Sequence, residues 1–315
     1  VVRRAFTLIE IIATIAILSI IASISIFSID KLYKTFNKAK KISNLSLEAK
    51  RVSIQLENLL SSKIPSTMIG YDMKNNSFES IYNLTKEHKI LEWLSFTKDS
   101  FQKGECSFFI DMKRCDKKNK YLFSPDTNLS LVNERVKKKF SKSGDLFRDE
   151  DIVLIFSGSF DNGGDVFSKD FKNFYGWHGH KSEKIIKISQ KSESEKFFIK
   201  NLPQEIYEKY YLSFSAYAIA RGKDIDKSSI CIKNLPVKIK DSSLLLFYDY
   251  RPWKKESFCA DKNAQKKEGK VTILSQSIKS FNVSLNNDNL ILDLTFSQNI
   301  MYKKNIEIFS QRIIF

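Results

Sequence analysis

The sequence predicts an α+β fold in which one long amino-terminal helix precedes a domain dominated by antiparallel sheet. Three observations carry that expectation. From Phe6 to Ile29 the only charge is Glu10. Neither Gly nor Pro interrupts the chain before Pro65, so nothing in that stretch breaks a helix. From Asp151 onward the pattern changes to short runs of β-branched and aromatic residues, separated by Gly, Asn, Asp and Lys stretches that read as turns.

The apolar run comes first. As a helix, Phe6 to Ile29 would rise about 36 Å at roughly 1.5 Å per residue, enough to cross a hydrocarbon core of about 30 Å with some tilt. An ordinary secretory signal has an apolar core of about 7–15 residues with a small-residue cleavage site after it, which is shorter than this run. A plain membrane anchor accounts for the length and leaves Glu10 unexplained. A carboxylate costs roughly 2.5–3.5 kcal/mol at mid-bilayer, and somewhat less nearer the edge, so it requires a partner.

Arg3-Arg4-Ala5, followed by Phe6-Thr7-Leu8-Ile9-Glu10 and the apolar run, resembles the signal segment of the type IV pilin and type II secretion pseudopilin superfamily. The match is residue by residue, except that Gly is commoner in the family at the Ala5 position. The resemblance implies a leader at 1–5, scission between Ala5 and Phe6 by a prepilin peptidase, and N-methylation of Phe6. It further implies that 6–29 remains as a transmembrane helix, with Glu10 neutralising the amino terminus of a neighbouring subunit. The implied fold is pilin-like, and the implied place is the inner membrane, single-pass, with the leader cytoplasmic and the following domain periplasmic. Orientation rests on the resemblance. Arg3 and Arg4 favour a cytoplasmic start, whereas Lys31, Lys34, Lys38, Lys40 and Lys41 crowd the other end and would invert a simple positive-inside count. Implied partners are other pilin or pseudopilin subunits, the peptidase and an inner-membrane assembly platform. At 315 residues the chain is longer than a major pilin needs, which suits a minor or tip-type subunit.

Beyond the span, 30–64 reads as an amphipathic continuation of the same helix. Ile29, Leu32, Phe36, Ala39, Ile42, Leu45, Ala49, Val52, Leu56 and Leu59 recur at steps of three and four, as a single apolar stripe. The helix would reach about 55 residues, near 80 Å. A coiled-coil seam is the rival reading, but Ala and Phe beside Leu and Ile suit docking on a sheet equally well.

The remaining 65–315 reads as one α+β domain, β-rich from about 151. A helix is expected over Ser77 to Leu94, with Trp93 near its apolar face. Strands are expected over Ile152–Phe156, Ile185–Ser189, Phe197–Lys200, Tyr211–Ile219, Leu244–Tyr250 and Val271–Leu274. Near the end, Ile278–Leu285 and Leu290–Phe296 flank Asn286-Asn287-Asp288-Asn289 as a hairpin with a four-residue turn, and Ile306–Phe315 supplies a last strand. The hairpin faintly resembles the terminal meander of larger minor pseudopilins.

Four cysteines, none in a CxxC pair, lie in the part assigned outside the membrane, where disulfides persist. They allow three connectivities; Cys106–Cys115 and Cys231–Cys259 are favoured, against free buried thiols. Asp161, Asn162 and Asp165 around two glycines offer oxygen ligands for calcium without EF-hand spacing, and a tight polar turn is the plainer reading. His178 and His180 could share one side of a strand and hold zinc, against a turn packed by Phe174, Tyr175 and Trp177. With 52 Lys plus Arg against 36 Asp plus Glu, the net charge is +16, or +14 once Arg3 and Arg4 leave with the leader (16 minus 2). That excess suits nucleic acid or another acidic partner, but the lysines are dispersed as on a solvated face. The sequence holds no P-loop, GxSxG elbow or HExxH helix, so no enzyme is expected. A structural subunit of a pilus or secretion pseudopilus is the leading expectation, serving secretion, DNA uptake or adhesion. A pilus-associated DNA-binding or adhesin module is the alternative, and a tethered enzyme with a pocket between Asp151 and His180 is the other.

Overall fold

The computed structural model describes residues 7–85, 88–157, 168–189, 194–203, 205–227, 229–233, 235–259, 269–286, 289–300 and 304–314. Helix α1 runs unbroken from Leu8 to Leu60. The Ser61 N–H closes its last turn on Glu57 and Leu59 carbonyls, and a 3-10 turn at Pro65–Thr67 then redirects the chain. The remaining elements in order are β1 (Ile69–Asp72), β2 (Ser77–Ser80), β3 (Ile90–Phe96), α2 (Lys98–Gln102), β4 (Tyr121–Phe123), α3 (Leu129–Phe140), β5 (Val153–Phe156), β6 (Ile186–Lys187) and β7 (Lys196–Phe198). They continue with β8 (Tyr210–Arg221), α4 (Ile230–Lys233), β9 (Leu244–Tyr250), β10 (Lys270–Ser275), β11 (Ile278–Asn286), β12 (Asn289–Ile300) and β13 (Lys304–Ile314). A long amino-terminal apolar helix packed on a multi-strand antiparallel domain is the α+β, pilin-like architecture expected.

The largest sheet follows the order β10-β9-β8-β3-β1-β2, with every pairing antiparallel. Strand β8 pairs with β3 over its upper part and with β5 over Tyr210–Ser213, and β5 pairs onward with β6. The strand period of two then divides the core. Ala216, Ala218, Ala220, Leu245 and Phe247 face one core, together with Trp177, Tyr250 and Phe258. Ile219, Leu244, Leu246, Leu91 and Trp93 face the other, which holds α1 and the small sheet β11-β12-β13. A third cluster gathers α3, β4, β7 and the start of β8 around Leu122, Val132, Phe197 and Leu212.

On α1 the sheet covers Leu45, Ala49, Val52, Leu56 and Leu60. Ile29, Leu32 and Phe36 stay exposed, so the single stripe expected across 29–59 is corrected. Each three-residue step falls about 60° short of a full turn, and the run of such steps between Ala39 and Leu45 carries the pattern round to the opposite face. The small sheet supplies the matching surface. Leu290, Leu292, Leu294 and Phe296 alternate inward along β12.

Two further corrections concern local elements. Ser77–Leu94 is not a helix; it forms β2, a 3-10 turn at Ile81–Asn83 and the start of β3, because Leu91 and Trp93 fill one core while Ile90 and Leu94 fill the other. Apolar residues on both faces of a central strand lack alternation, and such a run imitates a helix. The terminal hairpin turns more tightly than expected: Asn286 pairs with Asn289, which leaves two residues between the strands.

Candidate functional site

The amino-terminal third of α1 is the site that the fold leaves uncovered. Thr7 caps the helix with extended backbone, and its hydroxyl accepts the Glu10 N–H at 3.4 Å. The Glu10 carboxylate in turn accepts the Thr7 N–H at 2.9 Å and the Thr7 hydroxyl at 3.0 Å. This reciprocal capping box satisfies orphan donors and places an anion at the positive end of the helix dipole. Threonine, two apolar residues and glutamate at this spacing thus have a local structural use as well as any intermolecular one.

Apart from Glu10 the helix from Leu8 to Ile29 carries no charge, and all of these residues are exposed. Leu8, Ile9, Ile12, Ile20, Ile24 and Phe27 are all more than half exposed. The Thr14, Ser19 and Ser23 hydroxyls donate to the carbonyls of Glu10, Ile15 and Ser19 at 2.6, 2.7 and 2.8 Å, so these polar groups are paired within the helix. The segment is long and apolar enough to cross a membrane, and none of it is buried in the protein. So large an apolar surface needs cover, from lipid or from other helices.

Ala5 and Phe6 lie outside the described residues, as do Asp161, Asn162 and Asp165. The other candidates are dispersed through the domain. Cys231 on α4 is joined to Cys259 with Cα atoms 5.6 Å apart, so the link brackets β9. Cys106 and Cys115 remain thiols, which corrects the pairing favoured for them. Their sulfurs are held by different partners. Cys106 is buried against the Tyr210 hydroxyl at 3.2 Å, whereas Cys115 donates to the Asp111 carbonyl at 3.2 Å and accepts the Phe123 N–H at 3.4 Å. Burial raises the pKa of both thiols, which disfavours their thiolate forms.

His178 and His180 do not share a strand. They stand in a 3-10 turn entered through Gly176, with His178 itself in the left-handed region at φ 49°. His178 stacks on Tyr71 at 3.8 Å and its Nε2 lies 2.8 Å from Glu92 Oε1; His180 instead meets the edge of Phe78. Among the described residues no group of three or more His, Cys, Asp or Glu side chains is placed to hold a metal.

Sequence reasoning missed Glu92. It sits on the core face of β3 between Ile90 and Leu94, 1% exposed, and accepts the Tyr250 hydroxyl at 2.8 Å as well as facing His178. Burial and the adjacent carboxylate push the Tyr250 hydroxyl well above its ordinary pKa. Missed too was the buried Arg251, which is placed between Asp249, Glu256 and Asp151. Both features fasten strands and loops together. A cleft of about 510 Å³ opens between β3 and β11, but Arg221 on its wall is paired with Asp224 at 2.7 Å and His88 with Thr85 at 2.9 Å.

Residues 2–26 match the prokaryotic N-terminal methylation motif, the prepilin-type segment typical of type IV pilin and pseudopilin superfamily members. Comparison with curated proteins and with solved structures finds no match to the chain. The chain therefore carries a prepilin-type methylation motif at the head of an exposed apolar helix, which is consistent with a pilin-like structural subunit.

Proposed function

We propose that this chain is a minor pilin or pseudopilin subunit that is stored in a bacterial inner membrane and recruited into a pilus or pseudopilus. Residues 1–5 are the cytoplasmic leader, 6–29 the membrane span, 30–64 its amphipathic continuation and 65–315 the periplasmic domain. A prepilin peptidase cuts between Ala5 and Phe6 and methylates Phe6. The assembly platform then extracts the subunit among its neighbours. The protein performs no chemistry itself. The observation that carries this reading is Glu10 in the first turn of a helix whose apolar run from Leu8 to Ile29 is exposed throughout, within the matched motif. Isolated in lipid, such a carboxylate is costly; facing the ammonium freed on an adjacent Phe6, its charge is neutralised and the two helices are registered against each other.

The test pairs two measurements. Mass spectrometry of native protein should find N-methylated Phe6 as the terminus. Glu10→Leu should insert in membranes as well as the parent chain or better, since the intramembrane charge is gone, while crosslinks to neighbouring pilin-like subunits fall. An intact leader in cells with active peptidase contradicts the processing. Undiminished crosslinking of Glu10→Leu contradicts registration by this carboxylate.

A further inference from the structure

Immediately beyond the apolar run, α1 changes character within three turns. Between Ile29 and Leu45 the chain contains one acid, Asp30, against Lys31, Lys34, Lys38, Lys40 and Lys41. At about 100° per residue, Lys31, Lys34, Lys38 and Lys41 fall within about 80° of one another, while Lys40 lies on another side. Leu45, Ala49, Val52, Leu56 and Leu60, the residues buried against the domain, continue the same azimuth. Ile29, Leu32, Tyr33 and Phe36 occupy the opposite face and are exposed. The helix thus turns a basic face toward the side on which the domain sits, and an apolar face away from it.

The level of this face along the helix is also defined. Lys41 donates to the Asn299 carbonyl at the end of β12 at 3.2 Å, so this end of the small sheet stands beside the last lysine of the row. Lys31, Lys34 and Lys38 are exposed below it, with Lys34 paired to Asp30 at 2.6 Å. If the hydrocarbon boundary falls at Ile29, Lys31 stands about 3 Å and Lys41 about 18 Å above it, at roughly 1.5 Å per residue. Side chains on a helix point back toward its amino terminus, which here is toward the bilayer, and lysine stems extend their ammonium groups to the interface. A tilt of about 20°, ordinary for a membrane helix, toward the basic face brings Lys38 closer to the headgroups, with Lys41 at the upper edge of the face.

We propose that Lys31, Lys34, Lys38 and Lys41 form a binding face for the phosphate headgroups of anionic phospholipids on the domain side of the span. The proposal rests on the membrane-anchored reading above. Its grounds are charge complementarity and direct continuity with the apolar helix. Electrostatic attraction to an anionic surface is additive over such lysines and falls within a Debye length, so a row on one side of a helix also biases its tilt. Bound headgroups would hold the domain over the bilayer.

The full chain is to be reconstituted in nanodiscs of equimolar phosphatidylglycerol and phosphatidylcholine, and the lipids retained on release counted by native mass spectrometry. Phosphatidylglycerol should be retained over phosphatidylcholine. The combined Lys31→Gln, Lys34→Gln, Lys38→Gln, Lys41→Gln variant should reduce that preference about tenfold or more, given several-fold per lysine. Lys137→Gln, Lys138→Gln, Lys139→Gln, which removes similar charge elsewhere, should leave it intact, and excess inorganic phosphate should not displace the lipid. Equal retention of the two lipids, or an unchanged preference in the four-lysine variant, overturns the proposal. Displacement by inorganic phosphate reassigns the face to free anions, and loss of subunit crosslinks without loss of lipid preference makes it a protein contact; each overturns it. Carbonate-resistant membrane pelleting separates the two readings. A chain that fails to pellet refutes anchoring and takes this proposal with it, whereas one that pellets without lipid preference refutes this proposal alone.

Discussion

The hydroxyls of Ser53 on α1 and Ser310 on β13 lie 2.8 Å apart, which joins the chain's first helix to its last strand. Around them Arg51 donates to the Leu274 carbonyl at 3.0 Å, and Glu48 accepts the Ser275 hydroxyl at 2.7 Å. The second half of α1 is therefore built into the domain.

Leu56 lies at the centre of that junction and is fully buried, whereas Leu47 on the same helix is 64% exposed. Leu56→Ala should destabilise the domain by about 2–5 kcal/mol through the cavity it leaves, and Leu47→Ala by no more than about 0.5 kcal/mol. Chemical denaturation of the full chain in detergent checks both. Equal effects would mean that the junction does not carry the domain's stability.

The link between Cys231 and Cys259 closes a loop with a sequence separation of 28 around β9. Non-reducing peptide mapping should recover this pair, with Cys106 and Cys115 alkylated only as single thiols. In the native state Cys115 should react before the more deeply buried Cys106. Cys231→Ser with Cys259→Ser should lower stability by about 2–5 kcal/mol. A Cys106–Cys115 peptide would refute the arrangement.

Asp249 is buried and receives Lys142 and Lys270, each at 3.0 Å, beside Arg251 at 3.3 Å. Burial alone would raise its pKa, but the hydrogen bonds and charges of Lys270, Lys142 and Arg251 hold it below the ordinary carboxylate value. A folded pKa below the unfolded one gives stability that is fully present above about pH 4 and is lost as pH falls through the folded value. Urea unfolding from neutral pH downward should therefore show a loss of stability in acid that is smaller in Asp249→Asn. Asparagine suits the test because Asp249 has φ 63°, a conformation that Asn tolerates. Identical acid profiles for the two proteins would exclude Asp249 as the source.

Gly176 enters the turn that carries His178 to Glu92, at φ 82°, and a Cβ there would meet the Pro252 carbonyl oxygen at 2.7 Å. Gly176→Ala should cost more than about 1 kcal/mol, since both the backbone conformation and the neighbouring backbone oppose it. Thermal unfolding measures the cost, and a neutral result would show that this turn repacks freely.

Local chemistry determined much of this protein before any tertiary contact is considered. The uninterrupted apolar run with Glu10, the Thr7 cap, the absence of a breaker before Pro65 and the alternation along β11, β12 and β13 are properties of neighbouring residues, and each has a short-range physical cause. What the tertiary structure decided depends on residues far apart in the chain. Ile90–Phe96 became a central strand because β8 and β1 cover its two edges and cores cover both faces, which removes the periodicity that would have marked it. Cys106 and Cys115, near in sequence, were separated by packing against Tyr210 and Phe123, while Cys231 and Cys259 were brought together across β9. Glu92 became a buried partner of His178 and Tyr250 because three distant segments meet at one point in the core, and no local pattern encodes that meeting.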